Sequence, residues 1–155
     1  MTPRESFPVV PMIQVPAPDP SAPYRPGVLV VDDESTIADT LTEILSRSGY
    51  AAVAAYDGES ALETALLMPP EMLITDVALP GMSGVDLAIA VRRIFPECKV
   101  LLFSGHAGRF EIVDAASRKG YQFPLISKPV HPGDLLDRIA GSLKGRAEQP
   151  EAVAR

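Results

Sequence analysis

The chain has 155 residues, of which 46% are hydrophobic and 22% charged, with a formal net charge of −6 at pH 7. This length suits one globular domain, and the acidic balance argues against the basic surface of a nucleic-acid-binding protein. The single cysteine, Cys98, rules out a disulfide framework or a cysteine zinc site. No apolar run is suited to a membrane span or a signal peptide. We therefore expect a cytoplasmic protein with neither nucleic-acid nor membrane partners.

The N-terminal segment is rich in proline. Eight of the 16 prolines lie in residues 1–26, and a stretch such as PAPDP at 16–20 cannot hold a helix or a central strand, because proline lacks the N–H and fixes φ. We interpret residues 1–26 as a disordered, polyproline-like arm that serves either as a spacer or as a ligand for a partner. Residues 144–155 are polar and rich in Ala and Glu, which predicts a disordered tail. The folded domain is therefore expected over residues 27–143.

Five short apolar segments follow the arm and are predicted to be strands. The first, VLVV, is typical of a strand buried on both faces. The last is interrupted early by Pro124. The predicted strands span residues 28–31, 51–55, 72–74, 100–103 and 123–127.

Amphipathic segments alternate with these strands, and their apolar residues recur at helical spacing. Gly49 supplies a stop for the first helix, Asp57 can cap the second, and Pro69 and Pro70 end it. A fourth helix is expected at about residues 107–118. The apolar positions of the other helices are Ile37, Leu41, Ile44 and Leu45; Ala61, Leu62, Ala65 and Leu66; Leu87, Val91, Ile94 and Phe95; and Leu135, Leu136, Ile139, Ala140 and Leu143.

Strict alternation of strands and helices predicts an α/β fold with a parallel sheet covered on both faces. Right-handed crossovers leave few topologies, and the doubly wound, flavodoxin-like order 2-1-3-4-5 is the common solution at this size. In such sheets, binding and catalysis take place beyond the carboxyl ends of the strands, at the switch point beside strand 1.

Polar residues follow four of the five predicted strands. Asp32 and Asp33 follow the first strand, Asp76 the third, Ser104 the fourth and Lys128 the fifth. Because parallel strands end at the same edge of a sheet, we expect all five side chains to meet there.

Three carboxylates in one cleft repel one another, since two charges about 4 Å apart repel by about 4 kcal/mol at an effective dielectric constant of about 20. Mg²⁺ relieves this repulsion, because it prefers oxygen ligands and commonly binds one or two carboxylates together with a substrate phosphate. The pattern therefore predicts a phosphoryl site between Mg²⁺ and an ammonium group. Lys128 would pair first with Asp76 and later with the phosphate, and Ser104 would donate a hydrogen bond to a phosphoryl oxygen.

The acidic residues are assigned different roles at this site. Asp76 is the candidate nucleophile and would form an aspartyl phosphate while also contacting the metal. Asp33 is expected to ligate Mg²⁺ directly and Asp32 through water. The backbone carbonyl of Ala78 is a candidate neutral ligand.

Four sequence elements, taken in order, resemble the receiver domain of bacterial two-component response regulators. They are VVDDE at 30–34, DVALPGMSG at 76–84, SG at 104–105 and KP at 128–129. The resemblance covers about residues 27–143. It implies the receiver fold, Mg²⁺ as cofactor, a phosphoryl donor that is a sensor histidine kinase or a phosphotransfer protein, and a cis bond before the proline of the KP pair.

The resemblance also implies how a signal leaves the module. With no second domain expected after the receiver, output would come through docking on a downstream protein target or through relay of the phosphate. The family couples movement of the serine, here Ser104, to an aromatic residue on strand 5. This chain departs from that pattern with Leu125, three positions before the lysine, although Tyr121 and Phe123 lie nearby.

Several alternatives stay open. The same fold can act as a scaffold that binds partners without phosphorylation, or bind flavin. A second alternative is a phosphatase with an Asp nucleophile, but such enzymes typically carry Asp-x-Asp after the first strand, whereas here Asp32 and Asp33 are adjacent. These two acids can also be interpreted as a solvated start of a helix. His106 and His131 have no partner at metal-ligand spacing.

Overall fold

The computed structural model describes residues 21, 23–105, 114 and 117–152. Within these ranges five strands and four helices form the fold. The strands are β1 (Gly27–Val31), β2 (Ala51–Ala55), β3 (Met72–Asp76), β4 (Lys99–Ser104) and β5 (Leu125–Ser127), and the helices are α1 (Ser35–Arg47), α2 (Gly58–Leu67), α3 (Gly84–Ile94) and α4 (Pro132–Ala152).

The sheet confirms the predicted topology. All neighbouring strands are parallel, and their order is β2-β1-β3-β4-β5. In the central register Val30 lies opposite Ile74, which in turn lies opposite Leu101. Every residue of β3 is buried, as expected for a central strand of a sheet covered on both faces.

Successive strand residues point to opposite faces, so the sheet has two separate hydrophobic cores. Burying each large aliphatic side chain stabilises the fold by about 1.5–3 kcal/mol, and the two cores together hold the strand ends in place. One core faces α2 and α3 and includes Leu29, Val31, Ala61, Leu73, Leu87, Val91 and Leu102. The other faces α1 and α4 and includes Val28, Val30, Leu45, Ile74, Phe103, Leu135 and Ile139.

The helix ends follow local sequence signals. Asp57 caps α2, as predicted, by accepting a hydrogen bond from the Ser60 N–H at 2.7 Å. Gly49 adopts a φ of 100° just after α1, a conformation that favours glycine. At the start of α4, Nδ1 of His131 accepts a hydrogen bond from the Gly133 N–H at 3.1 Å, so this histidine caps a helix.

Strand β5 differs from the sequence expectation, and the predicted fourth helix lies largely outside the described residues. β5 begins at Leu125 rather than at residue 123, because Pro124 has no N–H to donate to a neighbouring strand. The helix predicted at about 107–118 lies largely outside the described residues, as does His106. None of the helices in the described ranges is long and apolar enough to cross a membrane.

The two ends of the predicted domain also carry structure. α4 continues to Ala152, where a disordered tail was predicted from residue 144. The Ala, Glu, Gln, Lys and Arg residues of this stretch favour a helix, whereas its Gly145 and Pro150 do not. Before β1, the Arg25 side chain donates hydrogen bonds to the carbonyl oxygens of Ser46 and Tyr50. Most of the predicted arm lies outside the described residues, and the division into arm, domain and tail stays a prediction.

Candidate functional site

The predicted site residues lie where the parallel strands end. Hydrogen bonds between neighbouring strands continue just past their ends: the Asp32 N–H donates to the Ala55 carbonyl at 3.2 Å, and the Lys128 N–H donates to the Ser104 carbonyl at 3.0 Å. The backbone at this edge is therefore held by the sheet itself. This rigidity fixes the directions in which the site side chains point.

Three carboxylates meet at this edge, as the topology predicts. Asp32, Asp33 and Asp76 each offer one oxygen, and these atoms all lie within 4.8 Å of one another. Asp32 is fully buried and Asp76 is 7% exposed, whereas Asp33 is exposed to solvent. The cluster thus has a buried side and an open side, and a ligand would reach it from the side of Asp33.

Lys128 joins the two buried carboxylates. Its Nζ lies 2.9 Å from Oδ2 of Asp32 and 2.9 Å from Oδ2 of Asp76. Burial on its own lowers the pKa of Lys128, but hydrogen bonds to Asp76 and Asp32 and the attraction of both negative charges outweigh burial and raise it. The sequence predicted the pair with Asp76; the bond to Asp32 was not predicted.

The remaining oxygens of the buried carboxylates are bound by backbone. Oδ1 of Asp32 accepts a hydrogen bond from the Glu34 N–H at 2.9 Å, and Oδ1 of Asp76 accepts one from the Ala78 N–H at 3.1 Å. In the described part of the chain, no buried side-chain nitrogen or oxygen lacks a partner. Both carboxylates are therefore held in a fixed orientation before any ligand arrives.

A glycine at the start of α3 allows this helix to approach the site. A Cβ built on Gly84 would lie 1.8 Å from the carbonyl oxygen of Asp76, which is an impossible contact. The Gly84 N–H also donates to the Val77 carbonyl at 3.1 Å. Sequence reasoning used this glycine only as part of a motif; the structure shows that α3 can begin against the end of β3 because residue 84 has no side chain.

The other predicted site residues lie at the same edge. Ser104 ends β4 and is 2% exposed, and Ala78 is exposed in the loop after β3. The peptide bond between Lys128 and Pro129 is cis, as the resemblance implied. His131 contacts its own helix rather than the carboxylate cluster.

The aromatic residues near β5 precede the strand rather than lie within it. Phe123 is buried, its ring stacks with that of Tyr121 at a centroid distance of 5.7 Å, and the guanidinium of Arg92 lies 5.4 Å from its ring centroid. Nε of Arg93 donates to the Tyr121 hydroxyl at 3.3 Å. Both aromatic rings are thus tied to α3, whereas Leu125, at the position where the family often has an aromatic residue, is half-buried.

The donor set fits a hard divalent cation. The cluster offers only oxygen ligands, and three carboxylates against one ammonium group leave an excess of negative charge. An additional ligand that carries its own phosphate would complete the coordination in the usual manner of Mg²⁺.

Comparison with known proteins gives matches over most of the chain. The family model described as response regulator receiver domain matches residues 28–140. A CheY-like receiver domain protein from Methanospirillum hungatei is 27% identical, with a TM-score of 0.75 and coverage of 81% of this chain and 99% of that one. The chemotaxis protein CheY4 of Vibrio cholerae is 25% identical, with a TM-score of 0.67 and coverage of 77% and 99%.

A longer protein is similar as well. NtrX from Brucella abortus, solved in complex with ADP, is 30% identical with a TM-score of 0.73. The match covers 84% of this chain and only 30% of that one. The similarity is thus to one domain of a larger protein.

Proposed function

This chain belongs to the response regulator receiver domain family, and from that premise we propose that it accepts a phosphoryl group on Asp76 in a Mg²⁺-dependent reaction. Receiver domains interact in general with histidine kinases and with downstream targets. The observation that carries the proposal is the meeting of three carboxylates with one ammonium group, since Lys128 Nζ lies 2.9 Å from Asp76 in a cluster that also contains Asp32 and Asp33.

Asp33 and Asp76 would hold the Mg²⁺ directly, Asp32 through water, and the backbone carbonyl of Ala78 would add a neutral ligand. When bound, the metal offsets the negative charge of the phosphoryl oxygens during transfer. The exposure of Asp33 supports its role, because a metal that also binds a substrate phosphate must sit on the open side of the cluster.

Phosphoryl transfer would use the groups already in place. A carboxylate oxygen of Asp76 attacks the phosphorus of a donor phosphohistidine; the new P–O bond forms as the P–N bond breaks, and the imidazole nitrogen keeps the electron pair. The ammonium group of Lys128 would then pair with the phosphoryl oxygens in place of the Asp76 carboxylate, and Ser104 would donate a hydrogen bond to one of these oxygens. The donor would be a sensor histidine kinase or a phosphotransfer protein.

The output would pass to another protein. Added phosphate brings negative charge and acceptor oxygens to the sheet edge, which rearranges nearby loops that can pair with them. We propose that the phosphorylated surface docks on a downstream protein target or passes the phosphate on in a relay.

The proposal is tested by Asp76→Asn, which removes the nucleophile and keeps nearly the same shape. After incubation with acetyl phosphate and Mg²⁺, intact mass spectrometry should show one added phosphoryl group on the wild-type protein and none on the variant, with circular dichroism unchanged. Asp86→Asn, the same substitution at an exposed aspartate in the first turn of α3, is the matched control and should be labelled normally.

Two results would contradict the proposal. Labelling that persists in Asp76→Asn would place the phosphate elsewhere. A wild-type protein that stays unlabelled under conditions that label a known receiver domain would favour a scaffold that binds partners without phosphorylation.

A further inference from the structure

We propose that Glu59 is a positioning residue for this site, whose carboxylate holds the loop of residues 77–83 in the shape that metal binding requires. The inference rests on the proposed function, because it concerns the same metal and the Ala78 carbonyl. Glu59 lies in the first turn of α2, and its side chain is exposed at the surface of the domain.

The loop between β3 and α3 contains neither helix nor strand, so its shape depends on individual contacts. Two of these contacts lie near its ends: the Ala78 N–H donates to the Asp76 side chain, and the Gly84 N–H donates to the Val77 carbonyl. In the second half of the loop, the Met82 N–H donates to Oε1 of Glu59 at 3.2 Å. Glu59 thus anchors this half of the loop from a different helix.

Two glycines allow this anchor to form. A Cβ on Gly58 would lie 2.9 Å from Cβ of Met82, so a larger residue would push the loop away from α2. Gly81 has a φ of +73°, and a Cβ there would lie 3.1 Å from Oε1 of Glu59. The first turn of α2 and the loop therefore fit closely, with the carboxylate at their contact.

The loop carries one candidate metal ligand, the Ala78 carbonyl, and begins directly after another, the Asp76 side chain at the end of β3. Supporting contacts that orient ligands commonly affect metal affinity although they do not touch the metal. If the Met82 N–H loses its acceptor, the loop gains freedom, and ordering it again lowers the affinity for Mg²⁺.

A competing explanation is that Glu59 matters only through its charge, since an acidic residue near a helix N-terminus stabilises the helix and attracts cations. The effect of side-chain length and the effect of charge can be separated by two substitutions at Glu59. Glu59→Gln keeps the length and a carbonyl acceptor but removes the charge. Glu59→Asp keeps the charge but is shorter by about 1.5 Å, the length of one C–C bond.

In the experiment, the full chain is titrated with Mg²⁺ alone, and binding is measured by isothermal titration calorimetry. We expect Glu59→Ala and Glu59→Asp to weaken Mg²⁺ binding by about threefold to tenfold, the worth of one hydrogen bond, and Glu59→Gln to stay within about twofold of wild type. Glu63→Ala, which removes an exposed glutamate one turn further along α2, is the matched control and should bind as wild type does.

Equal affinities across all Glu59 variants would overturn the inference, and so would a loss in Glu59→Gln that Glu59→Asp does not share, because charge would then be the cause. Asp33→Ala serves as the positive control. Failure of the proposed function looks different: the wild-type protein itself would then bind no Mg²⁺ or take up no phosphoryl group, and both proposals would fall together.

Discussion

At Lys128 one ammonium group pairs with two buried carboxylates that lie at the ends of different strands. Without it, Asp32 and Asp76 would lie close together with their charges uncompensated, which is costly for groups so little exposed to water. The lysine therefore has a structural role in the fold as described, in addition to its proposed role in binding a phosphoryl group.

The raised pKa of Lys128 gives this role a pH dependence. A lysine whose pKa is higher in the folded than in the unfolded chain stabilises the fold fully below the ordinary value of 10.5, and loses that contribution as the pH rises through the higher value. We expect Lys128→Met to be less stable than wild type at neutral pH, and the difference to shrink at strongly alkaline pH.

Urea unfolding of both proteins at neutral and at alkaline pH, without Mg²⁺, measures this difference. Lys119→Met, at an exposed lysine, controls for the general loss of lysine charge. A gap between Lys128→Met and wild type that stays constant with pH would show that the ammonium does not stabilise the fold through its charge.

Sequence reasoning predicted which side chains meet at this sheet edge but not all of their contacts. Strand ends can be read from apolar runs, so the meeting of Asp76 and Lys128 at one edge was predictable from topology. The hydrogen bond from Lys128 to Asp32 was not, because it depends on how a long side chain lies between two carboxylates. The contact of Glu59 with Met82 joins the first turn of α2 to the loop before α3. No local sequence pattern predicts that these two segments lie close together.

At the level of the elements, the junction between β3 and α3 depends on Gly84, which leaves the least room for a Cβ of all the described glycines. Gly84→Ala would place a methyl group against the Asp76 carbonyl, so the start of α3 must move. We expect a loss of about 2–4 kcal/mol in the free energy of unfolding, the range of severe overpacking, together with slower phosphoryl uptake.

The same substitution at Gly141 is a sharp control. This glycine lies on the exposed side of α4, and a Cβ there meets nothing within 4 Å. Gly141→Ala should therefore stabilise the protein by about 0.5–1 kcal/mol, because alanine is the better helix former. Chemical unfolding of both variants checks the pair, and a Gly84→Ala variant as stable as wild type would contradict the described junction.

Elements with strong local signals were predicted well, and those decided by tertiary contacts were predicted less well. The cap of α2 at Asp57 follows from local chemistry, and the structure contains it. β5 was predicted two residues too long, because an apolar pattern continues through Phe123 although Pro124 has no N–H to donate; its carbonyl still accepts a hydrogen bond from the Leu102 N–H at 2.9 Å. Phe123 instead packs in the core beside Arg92 of α3.

For the whole molecule, the two cores define how much of the chain the fold requires. The core residues of α4 are Leu135 and Ile139, which are fully buried, with Leu136 and Leu143 packed beside them. We expect deletion of residues 144–155 to change the free energy of unfolding by less than about 1 kcal/mol, because this core is left intact.

Urea unfolding of the shortened chain tests this expectation. Ile139→Ala in the full chain is the comparison and should cost about 2–5 kcal/mol, since it leaves a cavity between α4 and the sheet. A deletion as costly as Ile139→Ala would mean that the C-terminal part of α4 packs on the domain and that the predicted boundary at residue 143 is wrong.

The parallel sheet determines where the two ends of the domain leave the fold relative to the carboxylate cluster. β1 begins at Gly27 on the edge opposite to the carboxylates, and α4 starts beside Lys128 and runs back for about 18 Å to Leu143, roughly the length of a strand. Both ends of the domain therefore leave the fold far from Asp76. We expect a fluorophore or surface linker attached at either end of the domain, near residue 27 or residue 143, to leave the acidic cluster accessible.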